Sequence, residues 1–103
     1  MNRVTEKELQ AICDRINEAC GTPLRPYLDG KPQAKCYHLS YAYGGVTLHQ
    51  MSESGSGIRD VFSGYMPKRE LASKMHAFLK GVQSAAAYDA HYAKLVQSMQ
   101  AKA

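Results

Sequence analysis

The stretch YHLSYAYGGVTLHQM, from Tyr37 to Met51, constrains the fold of this chain more than any other. Its residues alternate in character on either side of Gly44-Gly45, the pattern of two antiparallel strands joined by a tight turn. Glycine supplies the positive φ that a two-residue turn requires. A Gly44-Gly45 turn pairs Tyr43 with Val46, Tyr41 with Leu48 and Leu39 with Gln50 on one face. The opposite face then carries His38, Ser40, Ala42, Thr47, His49 and Met51. The first face is mostly apolar and is expected to meet helices, while the second mixes two imidazoles with small residues. A one-residue change of register exchanges these roles.

The rest of the chain supplies partners for this hairpin. Thr5 and Glu8 form a capping box, and Leu9, Ile12, Cys13, Ile16, Ala19 and Cys20 recur at helical spacing until Gly21 supplies a stop. GTPLRPYLDGKPQAK has three prolines and two glycines without periodicity, and reads as a surface connection with room for a short extended piece. SESGSG is a loop by composition, and IRDVF is rich enough in β-branched and aromatic residues to be a third strand. Pro67 suits the first position of a second helix, with Leu71, Met75, Phe78, Leu79 and Val82 along one side and an end near Gly81. A third helix is expected over residues 84–101, with Tyr88, Tyr92, Leu95, Val96 and Met99 on one stripe available for oligomer contacts.

The expected fold class is therefore α+β: an N-terminal helix, a three-stranded antiparallel sheet with a Gly-Gly hairpin, and two C-terminal helices. At 103 residues the chain is expected to form a single domain over 1–103, with its core in residues 5–82. No apolar run approaches the roughly 20 residues that span a bilayer, so a membrane role is not expected. The start MNRVTEKELQ lacks the apolar core of a secretory signal, and three cysteines, Cys13, Cys20 and Cys36, are an odd number. A reducing cytoplasm is the expected location.

Metal binding and catalysis find little support in the spacing. Cys13 and Cys20 lie about 10 Å apart along a helix axis, too far to share one zinc, so buried structural cysteines are the better reading. Cys36, His38 and several acids are present, but nothing resembles a nucleophile elbow, and no enzyme activity, metal or cofactor is expected. His38 and His49 read more readily as satisfied sheet histidines than as acid-base groups. SGSG at Ser54–Gly57 lacks the lysine pattern of a phosphate-binding loop.

MPKRE is more informative. The net charge is +4, and its distribution is uneven. Met1–Gly21 carries three cationic and four acidic side chains, whereas Pro67–Val82 carries four cationic and one acidic. Lys68 and Arg69 sit at a helix start, where free N–H groups and the positive dipole end already favour an anion. Two cations there oppose helix stability by a few tenths of a kcal/mol each, which points to an anionic partner. Tyrosine faces for a base and cations for phosphate suit a nucleotide, although core packing competes for the same rings.

The ordered series YHLSYAYGGVTLHQM, SESGSGIRDVF and GYMPKRELASKMHAFLKGV resembles a family of small phage and prophage proteins over roughly Gly21 to Val82. Within it, the chain looks like the phage anti-Thoeris sponge proteins of the first described type, which bind and sequester cyclic ADP-ribose signals without cleaving them. The resemblance implies a homo-oligomer with ligand at subunit interfaces, working in the host cytoplasm. It also implies phosphate contacts from Arg69, with Lys68 beside it, a base stacked on Tyr41 or Tyr43, and a polar loop contact near Ser52 or Glu53. Relatives often show an Asn-Glu-Gly-Gly type loop where this chain has MSESGSG.

Two other classes remain open. Helix, three strands, helix is also the order of a double-stranded-RNA-binding domain, with Lys68, Arg69 and Lys74 facing phosphates, but the dense lysine run before the last helix is missing. Alternatively, the third helix makes the chain an oligomeric protein-interaction subunit.

Overall fold

The computed structural model describes residues 3–101, without the side chains at 88, 92, 95, 96 and 98–101. The elements run in the order α1 (Glu6–Cys20), β1 (Tyr27–Leu28), β2 (Lys31–Pro32), β3 (Tyr37–Ala42), β4 (Gly45–Met51), β5 (Ile58–Asp60) and α2 (Lys68–Ala101). This is an α+β arrangement in which α1 and α2 cover one face of the antiparallel sheet β3-β4-β5.

α1 begins and ends where its sequence signals lie. The Thr5 hydroxyl accepts from the Glu8 N–H at 3.1 Å, and the Glu8 carboxylate accepts from the Thr5 N–H at 3.4 Å. Gly21 takes the left-handed conformation, φ 70°, and Thr22 N–H reaches back to Asn17 O at 2.9 Å, closing the C-terminus as a Schellman motif. Leu9, Ile12, Cys13 and Ile16 face inward and meet Tyr37, Val46 and Leu48 of the sheet, Met66, and Leu71, Ala72, Met75 and Leu79 of α2. Asn17, fully buried, ties α1 to β3. Its Oδ1 accepts from Tyr37 N–H at 2.8 Å, and its Nδ2 donates to Tyr37 O at 2.9 Å.

The hairpin pairs Tyr41 with Val46, Leu39 with Leu48 and Tyr37 with Gln50, each partner two residues away from the expected one. Its turn is centred on Tyr43 and Gly44, with φ of 55° and 72°, both in the left-handed region that a type I′ turn requires. Gly45 is instead the first residue of β4. A Cβ there would lie 3.1 Å from the N and O of Met66, so this glycine permits the close approach of another backbone segment. The slip moves each strand residue by a whole side-chain period, so the strand residues keep their expected faces; Tyr43, expected on the apolar face opposite Val46, is instead in the turn and 94% exposed.

Two further differences concern the flanks. The connection before β3 contains a small hairpin, β1-β2, turned at Asp29-Gly30 with positive φ at both residues. The expected third strand, Ile58–Phe62, pairs with β4 only over Ile58–Asp60, and Val61 N–H adds one bond to Leu48 O at 3.1 Å. The chain then bulges away and returns, Met66 and Val46 exchanging bonds of 2.9 and 3.0 Å. Within the bulge, Phe62 turns toward Phe78 on the helix side, while Tyr65 crosses the other face of the sheet.

The two expected C-terminal helices are one. Gly81 keeps φ outside the left-handed region and lies in a run without proline, so nothing ends the helix there. Glycine inside a helix costs about 1 kcal/mol relative to alanine, less than a break would lose. The first residue is Lys68 rather than Pro67. α2 is therefore about 50 Å long at 1.5 Å per residue, and among its described side chains none after Leu79 is buried. The side chains of the expected stripe Tyr88, Tyr92, Leu95, Val96 and Met99 lie outside the described ones. Among the described residues no helix is long and apolar enough to cross a membrane.

Candidate functional site

Three chain segments meet at the hairpin tip. The type I′ turn carries Gly44 beyond the end of β3, the Val46–Met66 bridge holds the chain just before α2 against Gly45, and the capping box starts α1 at Glu6. Between them lies a groove of about 380 Å³ lined by Glu6, Tyr41, Ala42, Gly44, Gly45, Val46 and Lys68. Tyr41 is 47% exposed, and burial of the rest pushes its hydroxyl pKa above the usual tyrosine range, with Glu6 and Cys13 adding to the effect.

The end of α2 that faces this groove has open donors. Pro67 O accepts the first helical hydrogen bond, from Leu71 N–H at 3.1 Å. The amides of Lys68, Arg69 and Glu70 precede any intrahelical partner, and no capping side chain stands over them as Thr5 does on α1. Lys68 Nζ lies 3.8 Å from a Glu6 carboxylate oxygen, both side chains being substantially exposed. The groove thus offers one aromatic ring, two glycines that leave the backbone bare, one cation, one carboxylate and the positive end of a helix.

Tyr41 and Lys68 are accordingly brought together, and the other expected residues stand apart. Arg69 is exposed beside Lys68 but does not line the groove. Tyr43 is 94% exposed at the turn, and its ring packs edge-on against Tyr65 at 5.4 Å. Ser52 and Glu53 lie at the opposite end of β4, about 20 Å along the strand from Gly45. There the Ser52 hydroxyl accepts from Gly57 N–H at 3.1 Å, and Glu53 faces Lys35 at 4.0 Å. Within one chain these two residues cannot share a small ligand with Lys68.

A second polar group occupies the sheet face away from the helices. His49 Nε2 lies 2.7 Å from Asp60 Oδ1, and its ring packs edge-on against His38 at 5.7 Å and Tyr65 at 6.2 Å. The Tyr65 and Ser40 hydroxyls are hydrogen-bonded at 2.9 Å. His38 Nε2 and Thr47 Oγ1 are buried without a hydrogen-bond partner. Burial holds the His38 pKa below its ordinary value, opposed by a hydrogen bond with the Leu39 backbone and reinforced by His49. Sequence reasoning placed both histidines on this face but missed Asp60 and Tyr65, since neither a three-residue strand nor a bulge has a clear periodic signal.

Two of the three cysteines, Cys13 and Cys36, are built into the core. Cys13 and Cys36 both point their sulfurs at Tyr37 O, at 3.3 and 3.4 Å, and burial pushes the Cys13 thiol up to about 12. Among the described residues no cluster of three His, Cys, Asp or Glu side chains is placed to hold a metal. The chain matches no protein-family model, no curated protein and no solved structure.

Proposed function

We propose that this protein binds a small cyclic nucleotide signal, of the cyclic ADP-ribose type, and sequesters it without cleaving it. The observation that supports this reading is the meeting of Tyr41, the Gly44-Gly45 backbone and Lys68 in one groove at an uncapped helix start. Tyr41 offers a face for a base, and the bare glycine backbone lets a ligand approach closely. Lys68 and the first amides of α2 meet a phosphate, with Arg69 adding charge from the next position. Glu6 then exchanges its contact with Lys68 for ligand hydroxyls, a role a carboxylate performs as an acceptor. Sequestration needs affinity and enclosure rather than a nucleophile. The resemblance to phage anti-defence sponges gives the same ligand class and the same setting, a phage product acting in the host cytoplasm.

The open groove of a single chain leaves much of a nucleotide uncovered, which is why a homo-oligomer belongs to the proposal. The distal part of α2 supports it: its described residues beyond Val82 are all exposed, and most of the stability of a helix in a protein comes from packing one face against a partner.

Thermal unfolding against cyclic nucleotides, cyclic ADP-ribose isomers and short double-stranded RNA tests this reading. At a free concentration one hundred times the Kd, binding adds about 2.7 kcal/mol, and each kcal/mol raises the Tm of such a domain by roughly 4–8 °C. One cyclic nucleotide is expected to give that shift, to be recovered chemically intact, and to lose affinity in Lys68→Ala and Arg69→Ala. A flat panel, or full affinity in both variants, overturns the assignment.

A further inference from the structure

The bulge between β5 and α2 is fastened at both ends to the hairpin, and the fastenings on its open face converge on histidine. Asp60, the last residue before the bulge, holds His49 at 2.7 Å. Tyr65, near its end, packs on the same His49 ring and bonds Ser40, and the next residue, Met66, bridges to Val46. Two residues later Lys68 enters the groove. We propose that His38, His49 and Asp60 form a proton-operated latch on this bulge, so that acidification releases Tyr65 and Met66 from the hairpin and loosens the groove at Gly45 and Lys68. The consequence for the groove rests on the nucleotide reading above; the latch itself does not.

The charges around His38 explain why a proton there opens the latch. From β4 it faces His49, whose Nε2 already uses the Asp60 carboxylate. From the segment after α1, Arg25 lines the same cleft as His38, together with the uncharged Gln10 of α1, and the nearby carboxylate of α1, Asp14, lies 3.6 Å from that guanidinium. From the bulge, Tyr65 closes over Ser40 and His49 without bringing an acid. None of these groups offers His38 a free carboxylate, and His38 Nε2 is itself buried with no acceptor. Protonating it puts an unpaired N–H and a full charge inside the closed arrangement, and opening hydrates both. The closed form thus holds fewer protons than the open form. Closure is complete above the ordinary histidine value of 6.5 and is lost progressively as the pH falls below it.

Amide exchange at Val46 and Met66 reads the latch directly, because these two N–H groups make the bridge. Their protection factors in the full chain are expected to fall by up to about tenfold per pH unit below pH 6.5, the limit for uptake of one proton. Ile16, in the middle of α1, is expected to keep its protection. His38→Gln is expected to abolish the pH dependence at the bridge. Asp60→Asn, which unfastens the bulge without touching His38, is expected to lower protection at Val46 and Met66 already at pH 8. The proposal is overturned if wild-type bridge protection is flat from pH 8 to pH 5, if Ile16 falls in step with it, or if Asp60→Asn leaves the bridge unchanged. An open bridge at acid pH with no nucleotide bound at any pH leaves the latch standing and removes the binding assignment.

Discussion

Gly44 and Gly45 are adjacent and chemically identical, yet alanine meets a different obstacle at each. At Gly45 the backbone is extended, and the added Cβ would stand 3.1 Å from both N and O of Met66 and 3.4 Å from its carbonyl carbon. These are backbone atoms that cannot turn aside, so relief requires the whole Met66 segment to move. The bonds at risk are the two of the bridge, Val46 N–H to Met66 O at 2.9 Å and Met66 N–H to Val46 O at 3.0 Å. At a net of about 0.5–1.5 kcal/mol each, Gly45→Ala is expected to cost about 1–3 kcal/mol. At Gly44 nothing lies within 4 Å of the added atom, but φ is +72°. Alanine there meets only the intrinsic left-handed penalty of about 1–2 kcal/mol, partly offset by a less flexible unfolded chain. Urea unfolding measures the two losses, and amide exchange separates their causes. Gly45→Ala is expected to lose protection at Val46 and Met66, Gly44→Ala to retain it, and Gly44→Asn to come close to wild type. Equal losses with both amides still protected would refute the close-approach argument.

Asn17→Ala leaves the buried Tyr37 N–H without its acceptor, an expected loss of about 1–3 kcal/mol seen as a lower urea midpoint at unchanged slope; a loss under about 0.5 kcal/mol contradicts the role given to this side chain. Thiol titration with a disulfide reagent is expected to find Cys20, which is partly exposed, reacting first in the native protein. Cys13, with its pKa raised to about 12, and the fully buried Cys36 are expected to react only on unfolding. Truncation after Val82 is expected to keep the folded core, whose last described buried residue is Leu79, and, if the proposed oligomer forms through the distal helix, to give a monomer in sedimentation. An unchanged assembly mass removes the distal helix from the interface.

α1 was legible almost residue by residue because its signals are local: a capping box, a 3.6-residue apolar stripe and a glycine stop all act within a few residues. The hairpin was legible as a hairpin, and its strand residues were assigned to the correct faces even though its turn, and with it Tyr43, was not. Two-residue turns accept either Tyr43-Gly44 or Gly44-Gly45, and the two registers differ by a full side-chain period. What separates them is Met66, more than twenty residues away, whose backbone lies so close to position 45 that a Cβ there would sit 3.1 Å from its N and O and force it to give way. Gly81 misled in the opposite direction, since a glycine ends a helix only when it adopts the left-handed conformation, and here it does not.

The expected site residues divide along the same line. Lys68 and Arg69 were visible as cations at a helix start, a local violation of the usual charge bias. That Lys68 rather than Arg69 turns into the groove, beside Tyr41 and against Glu6, depends on how α2 is rotated on the sheet by Leu71, Ala72, Met75 and Leu79. Ser52 and Glu53 were grouped with them, and the length of β4 keeps them apart. Asp60 and Tyr65 left no sequence signature because a carboxylate and a phenol acquire meaning only from the histidine they enclose.

By itself, then, the sequence determined where α1 begins and ends, the start of α2 to within one residue, the alternation of the sheet and the face that each strand residue occupies, because periodicity and capping are short-range properties of the chain. The tertiary structure alone decided the turn register, the uninterrupted α2, the groove and the histidine cluster. The turn register, the groove and the histidine cluster depend on backbone and side-chain contacts between segments far apart in sequence, where steric exclusion and the pairing of buried polar groups select among arrangements that are locally equivalent.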